Sequence, residues 1–243
     1  MRKTLQLLAT TLILGVIAVV GAPGIHAATT QAPLKIGIIG TGRIGGALAR
    51  AWVKAGHEVL VSSRHPEELQ GLVAELGPHA HAGTPRQAAA FGTVVLISVP
   101  YRAMPQLGTD LHTELAGKVI LDTSNPSESR DGAMAVDAQK LGAGPATAEL
   151  LQSKRVVRVF NCIGAASLAH DGFRQPEQLA IPIGGDDAQA LAIAEQLVRE
   201  IGFDPVVIGS LARTRVFDLG QPLATGSLTA AQMRAKASQL TPP

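Results

Sequence analysis

The chain has 243 residues and a formal charge of +2, and both surplus charges, Arg2 and Lys3, lie in its first three residues; beyond them 19 basic residues face 19 acidic ones. A neutral body lacks the surplus of Lys and Arg that phosphate-backbone binding requires. With only 3% aromatic residues there is also little to build a base-stacking platform, so the composition argues against nucleic acid as a partner. A single cysteine, Cys162, excludes an intramolecular disulfide framework and a cysteine-built zinc site.

Residues 1–27 read as an export signal. Arg2 and Lys3 form a positive start, residues 5–22 are mostly apolar, and Pro23-Gly24 break the run before Ala27. Cleavage after Ala27 places Ile25 at the −3 position and leaves residues 28–33 as a short linker. The alternative is an uncleaved anchor, since ~18 apolar residues lie near the lower limit for a span. In both cases the positive end stays inside. The expected location is therefore periplasmic or on the outer face of the membrane, with lipid met only through the leader.

After the linker, Leu34 to Ile39 is a short apolar run rich in β-branched residues, as in a strand buried on both faces. Apolar residues at 44, 47, 48, 51 and 52 predict a helix over 43–55, stopped by Gly56. Residues 58–62 form a second strand, and Pro66 opens a helix to about Leu76. A short segment at 79–82 and a helix from Thr84-Pro85 lead to strands at 94–99 and 118–122. From Ser124 to Gly144 the composition predicts a long loop with one short helix. Strands follow at 156–160 and 180–183, then a helix over 187–201 and a last strand at 205–208. The tail from about Gly220 is weakly patterned and is expected to pack loosely. Strands alternating with helices imply right-handed crossovers and an α/β, doubly wound, mainly parallel sheet of Rossmann-like type. The domain is expected over residues 34–217, with 218–243 as a C-terminal extension.

Gly40-Thr41-Gly42-Arg43-Ile44-Gly45 is G-x-G-x-x-G, directly after a buried strand and opening an amphipathic helix. In that context Gly40 permits a tight turn, Gly42 lets a pyrophosphate approach the backbone, and Gly45 lets helix and sheet pack closely. The helix N-terminus supplies N–H groups and partial positive charge, and Arg43 stands where it could lie over the phosphates. The second strand ends Ser62-Ser63-Arg64, with no acid at its tip to accept from a ribose 2′-hydroxyl. Hydroxyl donors beside a guanidinium suit a 2′-phosphate, so NADP(H) is expected over NAD(H).

With these motifs the chain resembles the NADP oxidoreductases that use the deazaflavin coenzyme F-420; its nucleotide unit is also similar to that of metalloreductases passing NADPH electrons to a flavin. The resemblance rests on Lys35 to Gly42, Ser63-Arg64, Val94 to Pro100 with Tyr101, Asp122-Thr123-Ser124-Asn125-Pro126, Val159 to Gly164, Ile183 to Asp187 and Gly202 to Pro205. It implies hydride transfer between NADP(H) and a deazaflavin, flavin or related small-molecule acceptor. It also implies that Val99, Pro100 and Tyr101 limit the nicotinamide, that Ser124 and Asn125 stand at the ligand-bearing sheet edge, and that Asn161, Cys162 and Ile163 line the acceptor side. Such a transfer needs positioning more than a nucleophile or a protein acid, so no catalytic side chain is named. The chain departs from the family in Glu67 and Glu68, which stand where another basic residue is usual and temper a preference for the 2′-phosphate. It departs also in its leader and in its tail after Phe217. A homodimer is left open.

The remaining polar residues suggest little chemistry. His79 and His81 alternate, but no third ligand follows at metal spacing. His57 and His170 are expected to be solvated, and Asp186 and Asp187 to favour a helix N-terminus. Two other readings stay beside the oxidoreductase: an exported, non-catalytic NADP-binding or redox-partner protein, and an imine or pyrroline-5-carboxylate-type reductase. The latter would need a long helical domain after the last strand.

Overall fold

Short β-branched runs become the strands of one eight-stranded sheet in the computed structural model, which describes residues 32–240. Residues 1–27, expected to be an export signal, lie outside the described residues. The chain runs β1 (Lys35–Ile39), α1 (Arg43–Lys54), β2 (Glu58–Ser62), a 3-10 turn (Pro66–Leu69) continuing into α2 (Gln70–Leu76), β3 (Ala80–Gly83), α3 (Pro85–Phe91) and β4 (Val94–Ile97). A 3-10 turn at Tyr101–Ala103 precedes α4 (Met104–Asp110), α5 (His112–Leu115) and β5 (Val119–Asp122). Three helices, α6 (Glu128–Asp131), α7 (Ala133–Leu141) and α8 (Ala143–Leu150), lead to β6 (Val156–Arg158). Then come α9 (Ala165–His170), β7 (Ala180–Gly185), α10 (Ala188–Glu200), β8 (Asp204–Gly209), a 3-10 turn (Ala212–Phe217) and α11 (Ala230–Ser238).

The strand order is β3-β2-β1-β4-β5-β6-β7-β8. Every neighbouring pair is parallel except β6 with β7. This is the expected doubly wound, mainly parallel Rossmann-like sheet. Side chains alternate along each central strand, so Ile36 and Ile38 join one core layer and Ile39 the other. The first layer carries Trp52 of α1, fully buried, its indole N–H donating to the Leu197 carbonyl at 3.2 Å and its ring edge-on to Phe160. Truncating such a residue typically costs about 3–5 kcal/mol.

Four expectations are corrected. The stretch 124–144 is not a loop with one short helix but part of the three-helix run α6–α8. These helices pack through small residues, Ala135, Ala138, Ala143, Gly144 and Ala146, which give no amphipathic signal. The strand expected over 156–160 stops at Arg158, and Phe160 turns to a φ of +59°. The tail does not pack loosely: Leu223 and Met233 are fully buried with Val206 and Phe217, and α11 begins with a reciprocal Thr229–Gln232 cap. The domain thus continues through the segment set apart as an extension. Finally, His57 is not solvated. Its Nδ1 accepts from the Leu34 N–H at 3.1 Å, and its Nε2 lies 2.7 Å from Glu200 Oε2.

Candidate functional site

The site begins where β1 ends. Gly40 has a φ of +96°, and a Cβ there would stand 2.3 Å from the Ser98 carbonyl oxygen, so both conformation and space demand glycine. At Gly45 a Cβ would meet the Gly40 carbonyl oxygen at 2.2 Å, the close approach of α1 to the turn. At Gly42 nothing lies within 4 Å of the Cβ position, which leaves room for a ligand against the backbone. The first turn of α1 carries no acid and no side-chain cap. Its N–H groups and the positive end of the helix dipole are therefore free for an anion. The Thr41 hydroxyl donates to the Ser62 carbonyl at 2.9 Å and accepts from the Ser62 N–H at 3.0 Å, tying the turn to the tip of β2. Ile44 packs against the core, and Arg43 is exposed with no ion pair among the described residues.

A cleft of about 520 Å³ opens above this turn, within the range of small-molecule sites. Gly40 and Thr41 form its floor; Ser63, Arg64, Glu68 and Leu69 stand on the β2 side, and Val99, Pro100, Arg102, Ala103 and Leu107 on the β4 side. Arg64 is exposed and free of ion pairs among the described residues. Arg102 is held from behind: its N–H donates to Asp131 Oδ1 at 3.2 Å. Burial pushes the Asp131 carboxyl up, but hydrogen bonds from Arg130 and from the Ser127 and Arg102 amides outweigh it and bring it down to about 2.

Tyr101 is a correction. Its side chain is fully buried in the second core layer and lines no part of the cleft. Its hydroxyl lies 3.4 Å from Thr147 Oγ1, and burial pushes the phenol up to about 12. It buttresses the Pro100–Arg102 turn from beneath.

A second polar cluster sits farther along the same sheet edge. Arg158, 0% exposed, donates through Nη1 to Asp122 Oδ2 at 2.9 Å and to the Ser124 carbonyl, through Nη2 to Asn125 Oδ1 at 3.0 Å, and through Nε to Asp218 Oδ1 at 3.0 Å. Burial alone would pull the guanidinium down; Asp122 and Asp218 more than offset it, so it stays charged. Asn125 Nδ2 donates to the Asn161 carbonyl at 2.8 Å, and Asn161 Nδ2 donates to the Phe217 carbonyl at 2.9 Å. The Cys162 thiol donates to that same carbonyl at 3.1 Å, and burial pushes it up to about 12, far from a nucleophile.

Asn125 and Asn161 are therefore brought together, yet outside the cleft. Asn161, Cys162 and Ile163 meet the segment from Phe217 to Gly226, where a Cβ at Gly226 would touch Cys162 and Ile163. Ser124 Oγ and Asn161 Oδ1 are buried without hydrogen-bond partners among the described residues. Sequence reasoning missed Arg158, Asp218 and Asp131. For Arg158 the signal was present: a charge in the middle of Val156 to Val159 must find buried partners. Among the described residues no three metal-ligating side chains cluster, and His81 packs edge-on to Phe91.

The glycine turn, the open Gly42 position and the unpaired Arg64 fit a phosphorylated dinucleotide. Comparison with known proteins agrees. The family model described as "NADP oxidoreductase coenzyme F420-dependent" matches residues 35–126. The F420-dependent NADP reductase of Methanothermobacter marburgensis is 31% identical over 205 residues, 78% of this chain and 90% of the relative. Metalloreductase STEAP3 of Rattus norvegicus is 33% identical over 192 residues, 76% of this chain but 36% of the relative, so the chain spans about a third of that protein. Among solved structures, a hypothetical protein from Sinorhizobium meliloti superposes with a TM-score of 0.66 at 26% identity, covering 82% of this chain and 96% of that one. On the strength of this cleft and these relatives, the chain belongs to the family of coenzyme F420-dependent NADP oxidoreductases.

Proposed function

We propose that the protein is an NADP(H)-dependent oxidoreductase that moves a hydride between the nicotinamide and a small-molecule acceptor of the deazaflavin or flavin class. The observation that carries this reading is the single cleft that holds both the glycine turn and Arg64. The amides at the start of α1 bind the pyrophosphate, and Ser63 and Arg64 hold the 2′-phosphate. An arginine–phosphate bond of this kind contributes about 1.5–3 kcal/mol. Val99 and Pro100, on the opposite wall, restrict the nicotinamide to one face and keep water from it. The dinucleotide supplies the hydride chemistry; the chain supplies position and dryness.

The test is to mix the full-length chain anaerobically with NADPH and, separately, a deazaflavin, FMN or FAD, and to follow loss of reduced nicotinamide absorbance. Turnover with one of them supports the proposal and names the acceptor class. NADPH binding without turnover refutes it in favour of a second reading, a non-catalytic NADP-binding redox partner. One observation favours that second reading: Asn161 and Ile163 are buried, and the Asn161 amide and Cys162 thiol spend their donors on the Phe217 carbonyl rather than facing an acceptor. The imine-reductase reading has less support, since α11 is the only α-helix after β8 among the described residues.

A further inference from the structure

Arg64 does not stand alone on its wall of the cleft. Glu68, in the following 3-10 turn Pro66–Leu69, lines the same cleft. Its neighbour Glu67 is outside the cleft lining, its Oε1 3.4 Å from Nδ1 of the exposed His65. The Glu68 side chain, in contrast, has no ion pair or hydrogen bond among the described residues; only its backbone N–H is used, donating to the His65 carbonyl. An unneutralised carboxylate and an unneutralised guanidinium thus face one ligand space. Leu69 beside them and Pro85, Ala103 and Leu107 around them offer apolar surface suited to an adenine ring.

We propose that Glu68 is a coenzyme-specificity residue that opposes Arg64 and narrows the margin between the dinucleotide with a 2′-phosphate and the one without. The proposal rests on the NADP(H) reading of the cleft. A 2′-phosphate entering here meets attraction from Arg64 and repulsion from Glu68. A bare ribose meets a carboxylate able to accept from its hydroxyls. Dinucleotide-binding units place their ribose-binding acid about 20 residues beyond the glycine turn, and the stretch from Arg64 to Glu68 occupies that interval. This one short stretch therefore carries both kinds of recognition group. Repulsion between a carboxylate and a phosphate dianion several ångströms apart near the surface corresponds to about three- to tenfold in a binding constant, and salt reduces it.

The experiment titrates 2′,5′-ADP and 5′-AMP, the adenosine ends of the two coenzymes, into the full-length chain by calorimetry at low and high salt. It compares wild type with Glu68→Gln, Glu67→Gln and Arg64→Ala. Glu68→Gln is expected to tighten 2′,5′-ADP about three- to tenfold at low salt, with the gain shrinking at high salt, and to leave 5′-AMP unchanged or weaker. Glu67→Gln, whose side chain lines no part of the cleft, is expected to leave the ratio of the two fragments unchanged. The proposal is overturned if Glu68→Gln shifts both fragments equally, shifts neither, or is matched by Glu67→Gln. A wild-type chain that binds 2′,5′-ADP no better than Arg64→Ala does would instead overturn the NADP(H) reading itself.

Discussion

Replacing Arg158 by methionine removes a buried cation while keeping most of the side-chain volume. Asp122 and Asp218 each lie within 3.0 Å of the guanidinium, and Asp122 is fully buried. The Ser124 carbonyl and Asn125 Oδ1 lose their donor in the same step. Breaking a buried ion pair by removing one partner costs about 3–5 kcal/mol, because the other charge is left uncompensated. Here two carboxylates are left, so a loss of about 4 kcal/mol is a lower-end expectation, a large part of the 5–15 kcal/mol that typically separates folded from unfolded chains. With a urea m-value near 2 kcal/mol/M, the midpoint falls by about 2 M. Adding Asp122→Asn should restore part of the loss. Urea unfolding followed by circular dichroism at pH 7 measures both effects. A loss below about 1 kcal/mol, with no rescue by Asp122→Asn, would refute the reasoning.

Further predictions concern the glycine turn, Asp131 and Cys162. Gly42→Ala, where a Cβ meets no atom within 4 Å, should leave the melting temperature unchanged and yet weaken NADPH binding at least about tenfold. Gly45→Ala, whose Cβ would lie 2.2 Å from the Gly40 carbonyl oxygen, should lose about 1–3 kcal/mol of stability as well as binding; equal behaviour of the two variants in both assays would contradict the roles given them. Asp131, brought down to about 2 from a usual 3.8, contributes stability that is present above pH 3.8 and disappears as pH falls through about 2. Asp131→Asn should flatten the acid limb of the unfolding curve in that window. The Cys162 thiol, pushed up to about 12, should react with iodoacetamide at pH 8 far more slowly in the native chain than after denaturation; equal rates would contradict it.

The elements legible in the sequence were those whose hydrophobic pattern has one period. The stripe from Ile44 to Trp52 and the runs at β1, β2, β4 and β5 fall within about two residues of their observed ends. The turn at Gly40–Gly45 was legible because its neighbours on both sides, a buried strand and an amphipathic helix, were. Helices α6–α8 were not, because alanines and glycines bury little area and carry no period, and because Gly132 and Gly142, at φ of +68° and +98°, mark breaks rather than a long loop. Helix α11 buries only Ala230 and Met233; its readable signal was the Thr229–Gln232 cap, not its hydrophobicity. Tyr101 was misplaced because a residue two positions past a strand end can turn either way, and the 3-10 geometry at Tyr101–Ala103 turns it inward. The Arg158 cluster joins strand ends and a tail from three distant parts of the chain, and no local pattern announces such a meeting.

That meeting also dates the completion of the fold. Asp122 and Arg158 are synthesised well before Asp218, and one apolar face of β7 and β8 is closed by Phe217, Leu223, Ala230 and Met233. A nascent chain that has emerged only as far as Phe217 holds a guanidinium with half its counter-charge and an uncovered sheet face. The opposite face of β7 already has its cover in α10, through Ala190, Ala194 and Leu197. What waits for the C-terminal segment is the closing of this last layer and of the Arg158 cluster, a late step relative to translation.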